Sequence, residues 1–265
     1  MDPHTPVNGA DVGNGTAPLP TEWTSTVVGH HRLRHDLAVI RLIGEFVPFA
    51  AGQSVQVQVP QFPELRRRFS PALPPSLDGK LEFHVRTVPG GWCSGSIVAD
   101  TQPGDEWVIG APQGLFTVDP DGDDIVMIAG GTGLAPMRSQ ILELARRESQ
   151  PNTYLFVGGS SPRDLYAADM LTLLSEQLPW LTVVPVVENL DDPSWTDEWY
   201  ERSRVDIGFV PDDYLNGTLA EVIGSHGAFD QHQVLVCGSP AMARATVDRL
   251  VETGTPAERI QVEGG

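Results

Sequence analysis

Hydrophobic and polar positions change period about half-way along the chain. Up to residue 118 apolar residues come in short β-like runs. Stretches 25–28 and 37–43 are rich in branched side chains. Stretch 54–59 puts valines on one face and polar residues on the other, and 81–86 alternates in the same way. Stretches 106–109 and 115–118 complete the set. Gly/Pro turns separate these short strands, which predicts an antiparallel β-barrel or sandwich, with one short helix over 94–100. Beyond residue 121 the pattern lengthens. Stretch 124–129 is almost continuously apolar, as in a strand buried on both faces. Helical patterns over 134–147, 168–176, 217–223 and 241–253 then alternate with strand patterns over 153–157, 181–187, 233–237 and 259–263. That alternation predicts a doubly wound α/β domain with a parallel sheet. The expected organisation is a disordered Gly/Pro/Asn/Thr-rich tail over 1–20, a β domain over 21–119 and an α/β domain over 120–265.

Composition fits two cores: 265 residues, 40% of them apolar, bury enough surface to fold without disulfides. No run of about 18 apolar residues exists to span a membrane, and no secretory signal opens the chain, so a cytoplasmic location is expected. Two cysteines, Cys93 and Cys237, cannot build a four-thiolate cluster. The net charge of −18 argues against nucleic acid as a partner, because phosphates would be repelled. The charge is uneven, −3 over 1–118 and −15 over 119–265, which again divides the chain near residue 119. Residues 191–201, with Trp195, Trp199 and Tyr200, form an acidic aromatic insert that reads as a surface loop or a partner site. His30, His31 and His35 show no ligand spacing, and no metal is expected.

Four segments carry chemistry. Gly130-Gly131-Thr132-Gly133-Leu134-Ala135-Pro136 lies between a strand and a helix, where glycine amides and the helix N-terminus suit a dinucleotide pyrophosphate. Pro136 fits the first helical turn. A tight turn without ligand is the alternative. Arg67-Arg68-Phe69-Ser70 offers a guanidinium, a ring and a hydroxyl, as a phosphate-bearing aromatic cofactor needs. Its alternative is a basic edge strand that resists aggregation. Pro89-Gly90-Gly91-Trp92-Cys93-Ser94 leads into the short helix and suits a second pyrophosphate, or is an ordinary capped turn. Cys237-Gly238-Ser239-Pro240-Ala241-Met242 ends a parallel strand, where open α/β sheets bind ligands, although a cysteine there is often inert packing.

Together, in this order and spacing, these segments resemble the ferredoxin–NADP reductase superfamily over roughly residues 22–263. The likeness is closest to the FAD/NAD(P)H modules of bacterial oxygenase reductases and of flavohaemoglobins. It implies a Greek-key FAD-binding barrel followed by a NAD(P)H-binding α/β domain. Arg67, Phe69 and Ser70 match the R-x-[Y/F]-S motif, whose arginine holds a flavin phosphate, whose aromatic packs on the isoalloxazine and whose serine approaches N5. His84, Val85 and Arg86, with Gly90, Gly91, Trp92, Cys93 and Ser94, resemble the segment holding the ribityl chain and pyrophosphate. Gly131, Thr132 and Gly133 resemble the nicotinamide-dinucleotide loop, and Cys237, Gly238 and Met242 the motif beside the nicotinamide. The implied reaction is hydride transfer from NAD(P)H to FAD, with Ser70, Cys237 and Glu263 as catalytic side chains. Single-electron transfer to a separate acceptor follows: a ferredoxin, a haem protein or an oxygenase component.

The resemblance has two departures. Glu263 matches the family's terminal acid, but Gly265 stands where an aromatic would cover the flavin. One ring face is therefore expected to be open, with easier nicotinamide access and more leakage to O₂, unless Trp92 covers it. Neither a four-cysteine iron–sulfur motif nor a globin accompanies the two domains, so the electrons are expected to leave this chain. Ser160 and Arg163 sit where the family recognises the adenosine ribose. Arg163 could meet a 2′-phosphate, or pair with Asp164, and NADH is the favoured dinucleotide. The competing functions are a reductase of free flavins or quinones, and a non-catalytic electron-transfer or nucleotide-sensing subunit.

Overall fold

The computed structural model describes residues 21–190 and 213–264. The tail over 1–20, the insert over 191–201 and Gly265 lie outside the described residues. Strands β1 (Glu22–Arg34), β2 (Leu37–Gly44), β3 (Ser54–Gln58), β4 (Arg66–Phe69), β5 (Lys80–Arg86) and β6 (Glu106–Gln113) make one antiparallel sheet in the order β4-β3-β6-β1-β2-β5. Alternate residues of each strand fill a single core, among them Val27, Ile40, Val57, Phe83, Trp107 and Ile109. Each such burial contributes about 1.5–3 kcal/mol. Helix α1 (Trp92–Asp100) adds Ile97 and Val98, and starts two residues earlier than its apolar pattern. The hairpin of β1 and β2 runs longer than its branched stretches, and absorbs its twist in irregularities at Val27/Gly29 and Arg32/Arg34.

The expected strand over 115–118 does not form. Gly114 turns the chain off the barrel at φ +88°. Beyond it the Thr117 amide donates to Gln261 Oε1 at 3.1 Å, and Gln261 Nε2 returns a bond to the Thr117 carbonyl at 2.9 Å. A side chain thus satisfies the backbone that a ladder would have used. Phe116 and Val118 pack into the core of the second domain.

In that domain β7 (Ile125–Gly130), β8 (Thr153–Gly159), β9 (Leu181–Val187), β10 (Leu215–Asn216), β11 (Gln233–Gly238) and β12 (Ile260–Gly264) pair in parallel, in the order β10-β9-β8-β7-β11-β12. The apolar run of β7 serves two faces. Ile125, Met127 and Ala129 join one core, and Val126 and Ile128 the other. Helices α2 (Leu134–Leu144), α3 (Ala168–Gln177), α4 (Leu219–Ser225) and α5 (Pro240–Glu252) supply the partners of both. The chain leaves β7 for β8 on one side and later returns to β11 on the other. The carboxyl ends of β7 and β11 therefore flank the switch point where such sheets bind ligands. Among the described residues no helix is long and apolar enough to cross a membrane.

Candidate functional site

A cleft of about 1150 Å³ lies between the two sheets. The barrel lines it from β4 and β5. Among the described residues edge strand β4 pairs only with β3, and it brings Arg67 and Phe69 to the rim, with Ser70 just beyond. Strand β5 alternates: Leu81, Phe83 and Val85 enter the barrel core, whereas Glu82, His84 and Arg86 face the second domain. His84, Arg86, Gly91, Trp92, Cys93 and Ser94 continue the wall, and Trp92 is 82% exposed on it. The second domain contributes Gly131, Thr132, Gly133, Ser160, Cys237, Gly238, Met242 and Glu263.

Two helix N-termini in this wall carry no side-chain cap: that of α1, after Gly91, and that of the 3₁₀ turn Gly131–Gly133, after Gly130, which runs directly into α2. By contrast, Thr218 caps α4 and Ser239 caps α5. The uncapped pair leaves amide donors and partial positive charge free for anions. Gly131 adopts φ +55°, and a Cβ on Gly133 would lie 2.2 Å from the Cys237 carbonyl oxygen. Glycine is therefore required for the turn to close on the end of β11.

Ser70 and Glu263 meet across the domains. The serine hydroxyl donates to Glu263 Oε1 at 3.3 Å, and Arg68 stands 3.5 Å from the same oxygen. Burial raises the Glu263 pKa, against hydrogen bonds and the Arg68 charge that lower it. Burial, and then the Glu263 charge, push the Cys237 thiol up to about 12, so it stays protonated at neutral pH.

Three of the expected site residues are not in the cleft wall. Val85 is 1% exposed, its side chain turned into the barrel core by the alternation of β5. Gly90 forms its turn at φ +75° with nothing within 4 Å of where a Cβ would stand. Arg163 lies in the 3₁₀ turn Pro162–Asp164, outside the lining, and its carbonyl accepts a bond from Arg34. The cleft also takes in Ser54, Asp164, Glu188 and Thr218, which the motifs did not single out. Of these, Thr218 and Asp164 had a local signal, the capping boxes Thr218–Glu221 and Ser161–Asp164. Among the described residues no three His, Cys, Asp or Glu side chains converge as metal ligands.

Behind the cleft lies a buried polar seam. Glu82 accepts from Arg41 Nε at 2.7 Å, from Arg138 Nη1 of α2 at 2.9 Å and from His84 Nε2 at 3.1 Å. Arg138 Nη1 also donates to the Ala72 carbonyl at 2.7 Å. Burial alone would raise the Glu82 pKa; these donors and the Arg138 charge hold it down at about 2. His84 Nδ1 is 2.7 Å from the Tyr166 hydroxyl, and the rings meet edge-on at 5.5 Å.

Residues 25–118 match the oxidoreductase FAD-binding domain family, and residues 127–248 the oxidoreductase NAD-binding domain family. The reductase subunit of an aromatic O-demethylase from Amycolatopsis sp. is 30% identical over 260 residues, covering 96% of this chain and 72% of that protein. The chain belongs to the ferredoxin reductase-type family of oxidoreductases. Another relative is the electron transfer component of the xylene/toluene monooxygenase of Pseudomonas putida, 28% identical over 247 residues, 93% of this chain and 66% of that protein. The crystal structure of the Amycolatopsis cytochrome P450 reductase GcoB superposes with a TM-score of 0.74 at 28% identity, over 92% of this chain and 69% of that one. The chain spans about half to two thirds of the length of most of the curated relatives it matches.

The residues fit the two cofactors of a ferredoxin reductase-type protein. Arg86 Nε and Nη2 are buried in the domain seam and make no hydrogen bond, with Asp36 at 3.7 Å and Asp164 at 3.9 Å as flanking carboxylates. A guanidinium with spare donors, two uncapped helix ends and glycines that a Cβ would disrupt are what two pyrophosphates require.

Proposed function

We propose that the protein is a flavin-dependent NAD(P)H reductase, with NADH favoured, that delivers electrons to a separate acceptor: a ferredoxin, a haem protein or an oxygenase component. One observation carries this reading. The side chains of the flavin motif and the turns of the nicotinamide motif line a single cleft, joined across the domains by the Ser70–Glu263 hydrogen bond. FAD, when bound, supplies a centre that accepts a hydride and releases electrons singly.

The chain's own residues then bind, orient and handle protons. Arg67 would pair with a flavin phosphate, Phe69 would pack on the ring, and the N-terminus of α1 with Gly91 and Ser94 would hold the pyrophosphate. Gly131, Thr132 and Gly133 at the start of α2 would hold the second dinucleotide, and Arg86, read with the flavin segment, reaches across the cleft to that turn. Cys237 and Met242 border the nicotinamide end of the cleft, where an uncharged thiol packs against a ring without repelling a hydride. Glu263 can hold a proton and pass it through Ser70, its raised pKa favouring that role.

Support for NADH comes from the cleft wall at the ends of β8 and β9. Glu188 stands there and Arg163 does not, and a carboxylate disfavours a 2′-phosphate; Asp164, also in the wall, is paired with Arg34 at 2.6 Å. A division near residue 119 and a cytoplasmic setting, in keeping with two free thiols, belong to the same reading.

The test is anaerobic mixing of the FAD-loaded protein with NADH or NADPH, followed by candidate ferredoxins and haem proteins. Rapid bleaching by NADH, slower bleaching by NADPH and faster reduction of a protein acceptor than of free flavin are expected. Absence of bleaching by either nucleotide would refute the reading. Arg163→Ala should leave the ratio of kcat/KM for NADH and NADPH within about twofold, well short of the loss that follows removal of a charge-assisted phosphate contact.

A further inference from the structure

The His84–Tyr166 pair is not explained by cofactor binding. The His84 side chain is 4% exposed, and both ring nitrogens are committed to protein partners. The Glu82 carboxylate can only accept, so His84 Nε2 carries the proton. Nδ1 is then the acceptor, and the Tyr166 hydroxyl donates to it. Burial lowers the His84 pKa, in keeping with this neutral form. Glu82 is itself fixed by Arg41 on β2 and Arg138 on α2. The imidazole therefore stands on a rigid support and points its one free lone pair at the other domain.

The two partners sit at informative places in the chain. β5 runs from His84 directly into the turn that ends at Gly91 and opens α1, whose Ser94 accepts from the Val88 amide. Tyr166 follows by two residues Asp164, whose carboxylate closes the capping box on Ser161, next to Ser160 in the cleft wall. One hydrogen bond thus ties the strand leading to the proposed flavin phosphate turn to the turn at the proposed nucleotide ribose.

We propose that the Tyr166–His84 hydrogen bond sets the register of the nicotinamide half against the flavin half, making both residues positioning residues for hydride transfer. The inference rests on the reductase reading above. Ser70–Glu263 lies at the reacting end of the cleft and Arg34–Asp164 on its part-exposed flank; behind the cleft Arg138 holds α2 to Glu82 and Ala72, and the Tyr166–His84 bond holds the turn that follows β8. A change in domain spacing of about 1 Å alters donor–acceptor distance enough to change a transfer rate by about a hundredfold.

Tyr166→Phe removes the donor and keeps the ring packing. In the FAD-loaded variant, flavin content and the KM for NADH should stay within about twofold of wild type. The rate of flavin reduction at saturating NADH should fall about tenfold or more. Two readouts do not depend on turnover. Nitrogen NMR of histidine-labelled wild type should find His84 neutral with the proton on Nε2, and its Nδ1 resonance should move in Tyr166→Phe. Amide hydrogen exchange without nucleotide should rise in the turn over 160–166 of the variant and not in β2 or in the Gly131–Gly133 turn, which leads into α2 and its Arg138 anchor. An unchanged reduction rate, loss of flavin from the variant, or a proton on Nδ1 in wild type would each overturn the proposal. Should NADH fail to reduce wild type, the reductase reading falls by itself, and unchanged exchange in the variant would then dispose of the register contact as well.

Discussion

Glu82 gives the most quantitative prediction. Its carboxylate is 5% exposed at the domain seam and is held at about 2, against an ordinary value near 4.5. Each tenfold in proton affinity is about 1.4 kcal/mol, so the native surroundings favour the carboxylate by about 3 kcal/mol. Arg41 is 65% exposed and its share is screened by solvent, which reduces the figure to about 2–3 kcal/mol. Glu82→Gln keeps the shape and removes the charge, leaving Arg138 without its carboxylate. The sign follows from linkage. A carboxylate with a depressed native pKa stabilises the fold above its unfolded value, near 4.5, and that stabilisation is lost as pH falls toward 2. Urea unfolding followed by far-UV circular dichroism should therefore find Glu82→Gln destabilised by about 2–3 kcal/mol at pH 7, with the penalty unchanged at pH 6 and reduced by about half at pH 3. A penalty under about 0.5 kcal/mol at pH 7, or one as large at pH 3 as at pH 7, would refute the argument that the donors outweigh burial.

Other consequences are as direct. Arg67→Ala should weaken FAD binding about tenfold to a hundredfold, the worth of one charge-assisted contact, and equilibrium dialysis that finds full flavin retention would dismiss the Arg67–phosphate assignment. Gly133→Ala drives a Cβ against the backbone of Cys237; about 1–3 kcal/mol of destabilisation and weakened NADH binding are expected, read by thermal melts and nucleotide titration. Cys93 and Cys237 are both buried, and burial raises the pKa of each. Native protein should react with an aromatic disulfide reagent at pH 8 at least about a hundredfold more slowly than unfolded protein, and quick labelling of either thiol in the native state would contradict their placement.

What the chain carries locally was legible in its sequence. The alternation of β3 and β5, the doubly buried run of β7 and the glycine turn at the start of α2 are short-range patterns, and each formed where its period placed it. The segments with Arg67, Gly91, Gly131 and Cys237 were legible for the same reason, since backbone shape and residue type are fixed within a few positions. Stretch 115–118 has the composition of a strand, but a strand exists only where a ladder partner exists, and here the side chain of Gln261 takes the backbone instead. Arg163 and Val85 were placed by proximity in sequence to the right segments, yet neither is in the cleft wall: the alternation of β5 turns Val85 into the barrel core, and the wall takes Asp164 and not Arg163 from the Pro162–Asp164 turn. The polar face of β5 is the clearest case. Glu82, His84 and Arg86 alternate with core residues as a solvated strand face would. Docking of the second domain, which brings Arg138 and Tyr166 onto that face, turns it into a buried seam. Burial of that kind depends on contacts 56 and 82 residues apart in the chain. No local pattern records such contacts, because they follow from how the two cores pack together, not from either one alone.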